Sequence, residues 1–81
     1  MDCEKIRQMI LAKLPESIVA VESMDNVHFS AIVASDDFKD KSLVKRQQLV
    51  YGCLGDNIHN GNIHALTLKT FTQEEWDAQN G

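Results

Sequence analysis

The stretch that decides the fold is Ile18-Val19-Ala20-Val21-Glu22-Ser23, followed by Met24-Asp25-Asn26 and then by Val27-His28-Phe29-Ser30-Ala31-Ile32-Val33-Ala34. Both flanks are short and rich in β-branched residues, and the triplet between them is turn chemistry, so the pattern predicts a β-hairpin. Side chains alternate across a strand. Val27, Phe29, Ala31 and Val33 therefore share one face, leaving His28, Ser30 and Ile32 on the other.

On the N-terminal side, Ile6, Met9, Ile10 and Leu14 recur at three and four residues, with Lys5, Arg7, Gln8 and Lys13 pointing elsewhere. This predicts an amphipathic helix from Asp2 to Leu14, closed by Pro15. On the C-terminal side, the sequence from Ser35 to Lys41 reads as a charged connector, and Ser42 as the N-cap of a second helix. The apolar positions of that helix are Leu43, Val44, Val50, Tyr51, Leu54 and Ile58, with Gln47 on the same stripe. Gly52 and Gly55 each cost a helix interior about 1 kcal/mol relative to alanine, which puts its end between Tyr51 and Asn57. Asn60-Gly61-Asn62 makes a turn ahead of a third strand over Ile63–Lys69, with His64, Leu66 and Leu68 on one face. Thr72-Gln73-Glu74-Glu75 is a capping-box sequence opening a last short helix through Trp76.

The order is α-β-β-α-β-α, an α+β class. A strand–helix–strand connection implies a crossover, so the third strand is expected parallel to one hairpin strand, in a three-stranded mixed sheet with helices packed on one face. The chain has 81 residues, 43% of them hydrophobic and 25% charged, which is the composition of one small globular domain over 1–81. A net charge of −4 argues against generic attraction to phosphate, so a nucleic-acid site would have to be a local patch. The N-terminus lacks the uncharged core of a signal peptide, and no apolar run reaches the roughly 20 residues that cross a bilayer. A soluble protein of a reducing compartment is the expectation, with no membrane association.

Several motifs invite chemistry. Gly52-Cys53-Leu54-Gly55 has the G-x-x-G spacing of the phosphate clamp in KH domains, but its middle residues are apolar and Asp56 follows, so it reads first as a helix end. Lys39, Lys41, Lys45 and Arg46 surround a helix N-terminus, where free amides and the dipole favour anions, although Asp36, Asp37 and Asp40 interrupt the set. Cys3 and Cys53 form no C-x-x-C and no zinc set; Cys53 reads as a buried small hydrophobe and Cys3 as an exposed thiol. No Ser-His-Asp or Cys-His arrangement is identifiable, so an enzyme is not expected. His64, just after a turn, could hold one ring nitrogen at the surface; on residue type alone it reads as a structural histidine before it reads as a ligand. His28 beside the hairpin turn is similar, and His59 lies in a polar loop.

Taken together, Val27-His28-Phe29, the run from Ser42 to Gly52, Ile63-His64-Ala65-Leu66, and Lys69-Thr70 ahead of Glu75-Trp76 resemble the BolA-like family. Gln47-Gln48 after Lys45-Arg46, followed by Val50-Tyr51-Gly52, resembles its bacterial IbaG subgroup more than BolA proper. The resemblance implies a class II KH-like fold and a cytoplasmic partner of monothiol glutaredoxins. Such a pair shares a 2Fe-2S cluster, with glutathione completing the ligand set, in cluster handling or in iron and stress signalling. It implies a cluster ligand at His64. The second family ligand is a histidine or cysteine in the hairpin loop; Met24-Asp25-Asn26 contains neither, which leaves His28 as the nearest candidate and Asp25 as a weaker oxygen donor. The isolated chain is then expected to be a monomer without a stable cluster and to pair with its partner as a heterodimer. The family's description as transcriptional regulators keeps a rival, DNA binding through Lys39, Lys41, Lys45 and Arg46.

Overall fold

In the computed structural model, which describes residues 2–57 and 65–80, the first helix, α1 (Cys3–Lys13), begins where Asp2 accepts the Lys5 backbone N–H at 2.8 Å. This cap satisfies one of the donors a helix start leaves open. Ile6, Ile10 and Leu14 are buried along its inner stripe, and the chain turns at Pro15 into β1 (Ile18–Glu22). β1 pairs antiparallel with β2 (His28–Ala34), Val19 opposite Val33 and Val21 opposite Ala31. The hairpin forms as the sequence predicts, and Phe29, Ala31 and Val33 do share its buried face; Val27, expected with them, precedes β2 and is exposed.

After β2, α2 (Leu43–Leu54) crosses to β3 (Ala65–Phe71), which lies parallel to β2 with Phe29 beside Leu66 and Ala31 beside Leu68. The sheet order is β1-β2-β3, a mixed sheet as expected. Helices α1 and α2 pack on its inner face around Ile6, Ile10, Phe29, Val33, Phe38, Val50 and Leu54. Full burial of side chains of this size contributes about 1.5–3 kcal/mol each. The last helix, α3 (Gln73–Asn80), opens with the predicted capping box: Thr72 Oγ1 accepts the Glu75 N–H at 3.1 Å, and Glu75 returns the favour to the Thr72 N–H at 2.7 Å. Trp76 then rests on Phe71, ring centroids 5.5 Å apart.

Other expectations need correcting. The charged connector contains a short 3-10 turn, Asp36–Phe38, capped by the buried Ser35, and it drives Phe38 fully into the core. The stripe of α2 is rotated: Leu49, Val50, Cys53 and Leu54 face inward, while Leu43, Val44, Gln47 and Tyr51 are exposed. At 100° per residue Gln47, Tyr51 and Val44 lie about 60–120° from Val50 on the side opposite Cys53 and Leu49; Leu43 lies close to the Val50 azimuth but sits two turns earlier, beyond the core. Cys3 is half-buried against the core instead of exposed. β3 is described from Ala65 and runs to Phe71, past the expected Lys69, while Ile58, Ile63 and His64 lie outside the described residues. Gly52 does not interrupt α2; the helix ends at Gly55, whose φ of +58° suits a residue without a Cβ.

Candidate functional site

The hairpin turn is built around one carboxylate. Asp25 Oδ1 accepts the backbone N–H groups of Val27 and His28, each at 2.9 Å, and Asn26 takes the left-handed conformation that such a turn requires. Ser23 closes the other side, its hydroxyl accepting the Asn26 N–H at 2.9 Å and donating to the His28 carbonyl at 2.7 Å. The second carboxylate oxygen, Oδ2, lies 2.9 Å from His28 Nδ1. The His28 imidazole hydrogen bond, reinforced by the two backbone N–H groups, holds the Asp25 carboxyl well below the usual carboxylate range. An ionised carboxylate can only accept, so Nδ1 carries a proton, and it is Nε2 that holds the lone pair whenever the ring is neutral. The imidazole is 70% exposed and stands in a cleft of about 400 Å³ lined by Glu22, Ser23, Met24, Asp25, His28 and Ser30.

A histidine whose Nδ1–H is fixed on a carboxylate is the usual arrangement behind a metal-binding Nε2. Asp25 is thus an orienting group for His28, a role that reading it as an oxygen donor misses; the signal was an Asp three residues before a His in a turn. Among the described residues, no three His, Cys, Asp or Glu side chains converge on one point. Cys53 is buried and its thiol is pushed up by desolvation, which keeps it protonated and inert. The predicted ligand His64 and the bystander His59 lie outside the described residues.

The basic set divides. Lys39, Lys41 and Lys45 are exposed. Arg46 is only 12% exposed at its side chain: its Nη1 donates to Glu75 at 2.9 Å and its Nε to the Lys41 carbonyl at 3.0 Å. The Thr72 backbone N–H and then the Arg46 guanidinium keep the Glu75 carboxyl below its ordinary value. Lys39 borders a cleft of about 430 Å³ shared with Asp40, Glu74 and Glu75. The α2 N-terminus thus presents Lys39, Lys41 and Lys45 at the surface, among carboxylates. Among the described residues, no helix is long and apolar enough to cross a membrane.

Known proteins with this architecture carry the comparison further. The chain is 37% identical to "Acid stress protein IbaG" of Escherichia coli over 76 residues, covering 94% of this chain and 89% of that one. It is 36% identical to "DNA-binding transcriptional regulator BolA" of Haemophilus influenzae over 84 aligned positions, covering 93% and 81% of the two chains. The structure of a bolA protein homologue from Coxiella burnetii superposes with a TM-score of 0.83 at 37% identity, covering 95% of this chain and 97% of that one. The family model described as BolA-like protein matches residues 13–75, most of the fold from the end of α1 into α3, and the chain belongs to the BolA-like family.

Proposed function

We propose that this chain is an adaptor that pairs with a monothiol glutaredoxin, the two proteins sharing a 2Fe-2S cluster that glutathione helps to hold. The observation that carries this reading is His28, an exposed imidazole whose Nδ1 is fixed on Asp25 and whose Nε2 is open. In the sequence His64 directly precedes Ala65, and Ala65 is the register partner of His28. Sharing follows from shortage: such a cluster needs four ligands, and the described residues converge on no set of three. The cluster is cargo or signal for the pair, and a histidine in place of a thiolate removes negative charge from the iron it meets. This chain's own contribution is to orient the His28 imidazole and to keep Cys53 out of the exchange by burying it.

Mixing the chain with a monothiol glutaredoxin, glutathione, iron and sulfide tests the reading through absorption and circular dichroism. A spectrum distinct from that of the glutaredoxin homodimer is expected, reverting toward it in His64→Ala and in His28→Ala but not in His59→Ala. An unchanged mixed spectrum in a folded His64→Ala or His28→Ala variant removes that ligand, and a wild-type chain that never alters the homodimer spectrum removes the partnership.

A second reading, a DNA-binding regulator, draws on exposed Lys39, Lys41 and Lys45 around the start of α2 and on the name of the Haemophilus influenzae relative. Arg46 would contribute little directly, since it is spent on Glu75. In that case the affinity for DNA in the same preparation falls steeply with salt and weakens in Lys45→Ala; salt-insensitive or absent binding rules it out.

A further inference from the structure

Charge is unevenly divided where α3 meets the start of α2. Between Asp36 and Arg46 four cations, Lys39, Lys41, Lys45 and Arg46, stand against three carboxylates. α3 brings Glu74, Glu75 and Asp77 and no basic residue, which makes the balance four against six. That end of the molecule is negative with α3 in place and positive without it. α3 alone supplies −3 of the chain's net −4.

The carboxylates are placed on the cations. Glu75 takes the Arg46 Nη1 at 2.9 Å, and Glu74 and Glu75 line the cleft that Lys39 borders. A guanidinium that grips a carboxylate offers the same fork of donors to a phosphate. Arg46 Nε is meanwhile held by the Lys41 carbonyl at 3.0 Å, a bond within its own segment, so the guanidinium stays aimed when Glu75 leaves. α3 itself is lightly fastened. None of its residues is buried, and it is tied through the Arg46–Glu75 pair and through Trp76 on Phe71, two rings outside the core cluster. Glu75 is half-exposed, and an ion pair that open to water is a weak tie.

We propose that α3 is an acidic strap whose carboxylates hold, at Arg46 and beside Lys39, the place of a phosphate backbone, so that a DNA duplex engages the four cations when the strap lifts. This rests on the DNA-binding reading above and adds its regulation. The ligand class follows from the competition. Tethered carboxylates act at a high effective concentration, which a single small anion does not overcome. A duplex presents phosphates in succession, meets several cations at once and gains from each counterion released.

The strap lowers the apparent affinity by the fraction of molecules in which it is lifted. Neutralising it without unfolding it should therefore tighten binding. Glutamine serves at the third position of a capping box as glutamate does, so Glu74→Gln/Glu75→Gln keeps α3 helical while giving up its charged hold on Arg46 and Lys39. Binding should then strengthen about fivefold or more, with a salt dependence steeper by about one phosphate contact as Arg46 joins the lysines.

Titrating a short labelled DNA duplex with the full chain at low salt, followed by anisotropy, tests this alongside the emission of Trp76, the chain's only tryptophan. On DNA, Trp76 emission should move to the red as the ring leaves Phe71, and α3 amides should exchange faster than in the free chain, the reverse of what a direct contact does. The gain in Glu74→Gln/Glu75→Gln should vanish when Arg46→Ala is added. Glu4→Gln/Glu22→Gln, the same change of net charge placed on α1 and β1, should gain less than about twofold. Equal gains in the two double variants overturn the strap, and so does DNA bound with Trp76 emission and α3 exchange unmoved, although the DNA reading then stands. Binding by neither the wild-type chain nor Glu74→Gln/Glu75→Gln ends the DNA reading and the strap together.

Discussion

Two carboxylates in this molecule do similar chemistry to opposite ends. Asp25 and Glu75 each accept backbone N–H within their own turn, Asp25 from its end and Glu75 from its start, and each engage a side-chain cation or potential cation, His28 in one case and Arg46 in the other. Asp25 works within three residues and leaves its partner 70% exposed; Glu75 reaches across 29 residues and holds its partner at 12% exposure. The hairpin end uses a carboxylate to present a side chain. The α2–α3 end uses one to fasten two helices, and thereby withdraws Arg46 from any ligand. Residue types that look equally available in the sequence are separated by what the fold sets beside them.

The largest effect should come from undermining the fastened end from beneath. Phe38, fully buried in the turn that feeds α2, should cost about 3–5 kcal/mol as Phe38→Ala, and thermal unfolding followed by circular dichroism should show a variant near the limit of folding. A loss below 1 kcal/mol would mean that α2 is anchored without it.

A smaller effect belongs to the tie itself. Arg46→Ala should lower Tm by a few degrees, with α3 the first element to lose protection in hydrogen exchange. The sign of its pH dependence follows from Glu75, whose folded carboxyl lies below its ordinary 4.5. The stabilisation is complete above that unfolded value and is lost as pH falls through the folded one. The acid limb of a Tm–pH profile should therefore be shallower in Arg46→Ala than in the wild-type chain, with the Thr72 N–H supplying what remains. Parallel acid limbs would show that the ion pair contributes nothing.

The smallest stability effect should come from Asp25→Asn, which keeps an oxygen for the two turn N–H groups and loses only the charge facing His28. Its Tm should stay within a few degrees of wild type, while ¹⁵N chemical shifts of the imidazole should report a mixture of tautomers in place of the Nδ1–H form. An unaltered tautomer would sink the orienting role assigned to Asp25 and end the contrast between the two carboxylates.

Much of the architecture is legible in local signals. The β-branched hairpin, the Thr72–Glu75 capping box, the Ser42 cap and the parallel third strand all follow from patterns that span a few residues or from the rule that a crossover makes strands parallel. The inward stripe of α2 was legible only in part: Val50 and Leu54 stand on the expected stripe and are buried, but Leu43, Val44 and Tyr51 compete with Leu49 and Cys53 for the remaining inward positions and only the position of the core chooses between them. Phe38 was hidden by its charged neighbours Asp36, Asp37 and Lys39, whose side chains point to solvent while the tight turn sends the ring inward.

The sequence by itself determined the order of the elements, the family, and His28 and His64 as the histidines to watch, because these are properties of short-range patterning and of phrases that survive in a linear string. Only the tertiary structure decided that His28 is oriented by Asp25, that Arg46 is consumed by Glu75, and that Phe38 belongs to the core. The reason is physical. Whether a polar side chain is free to act depends on which partner stands within about 3 Å of it, and that distance is set by how helices and strands are packed, which a residue's type does not record.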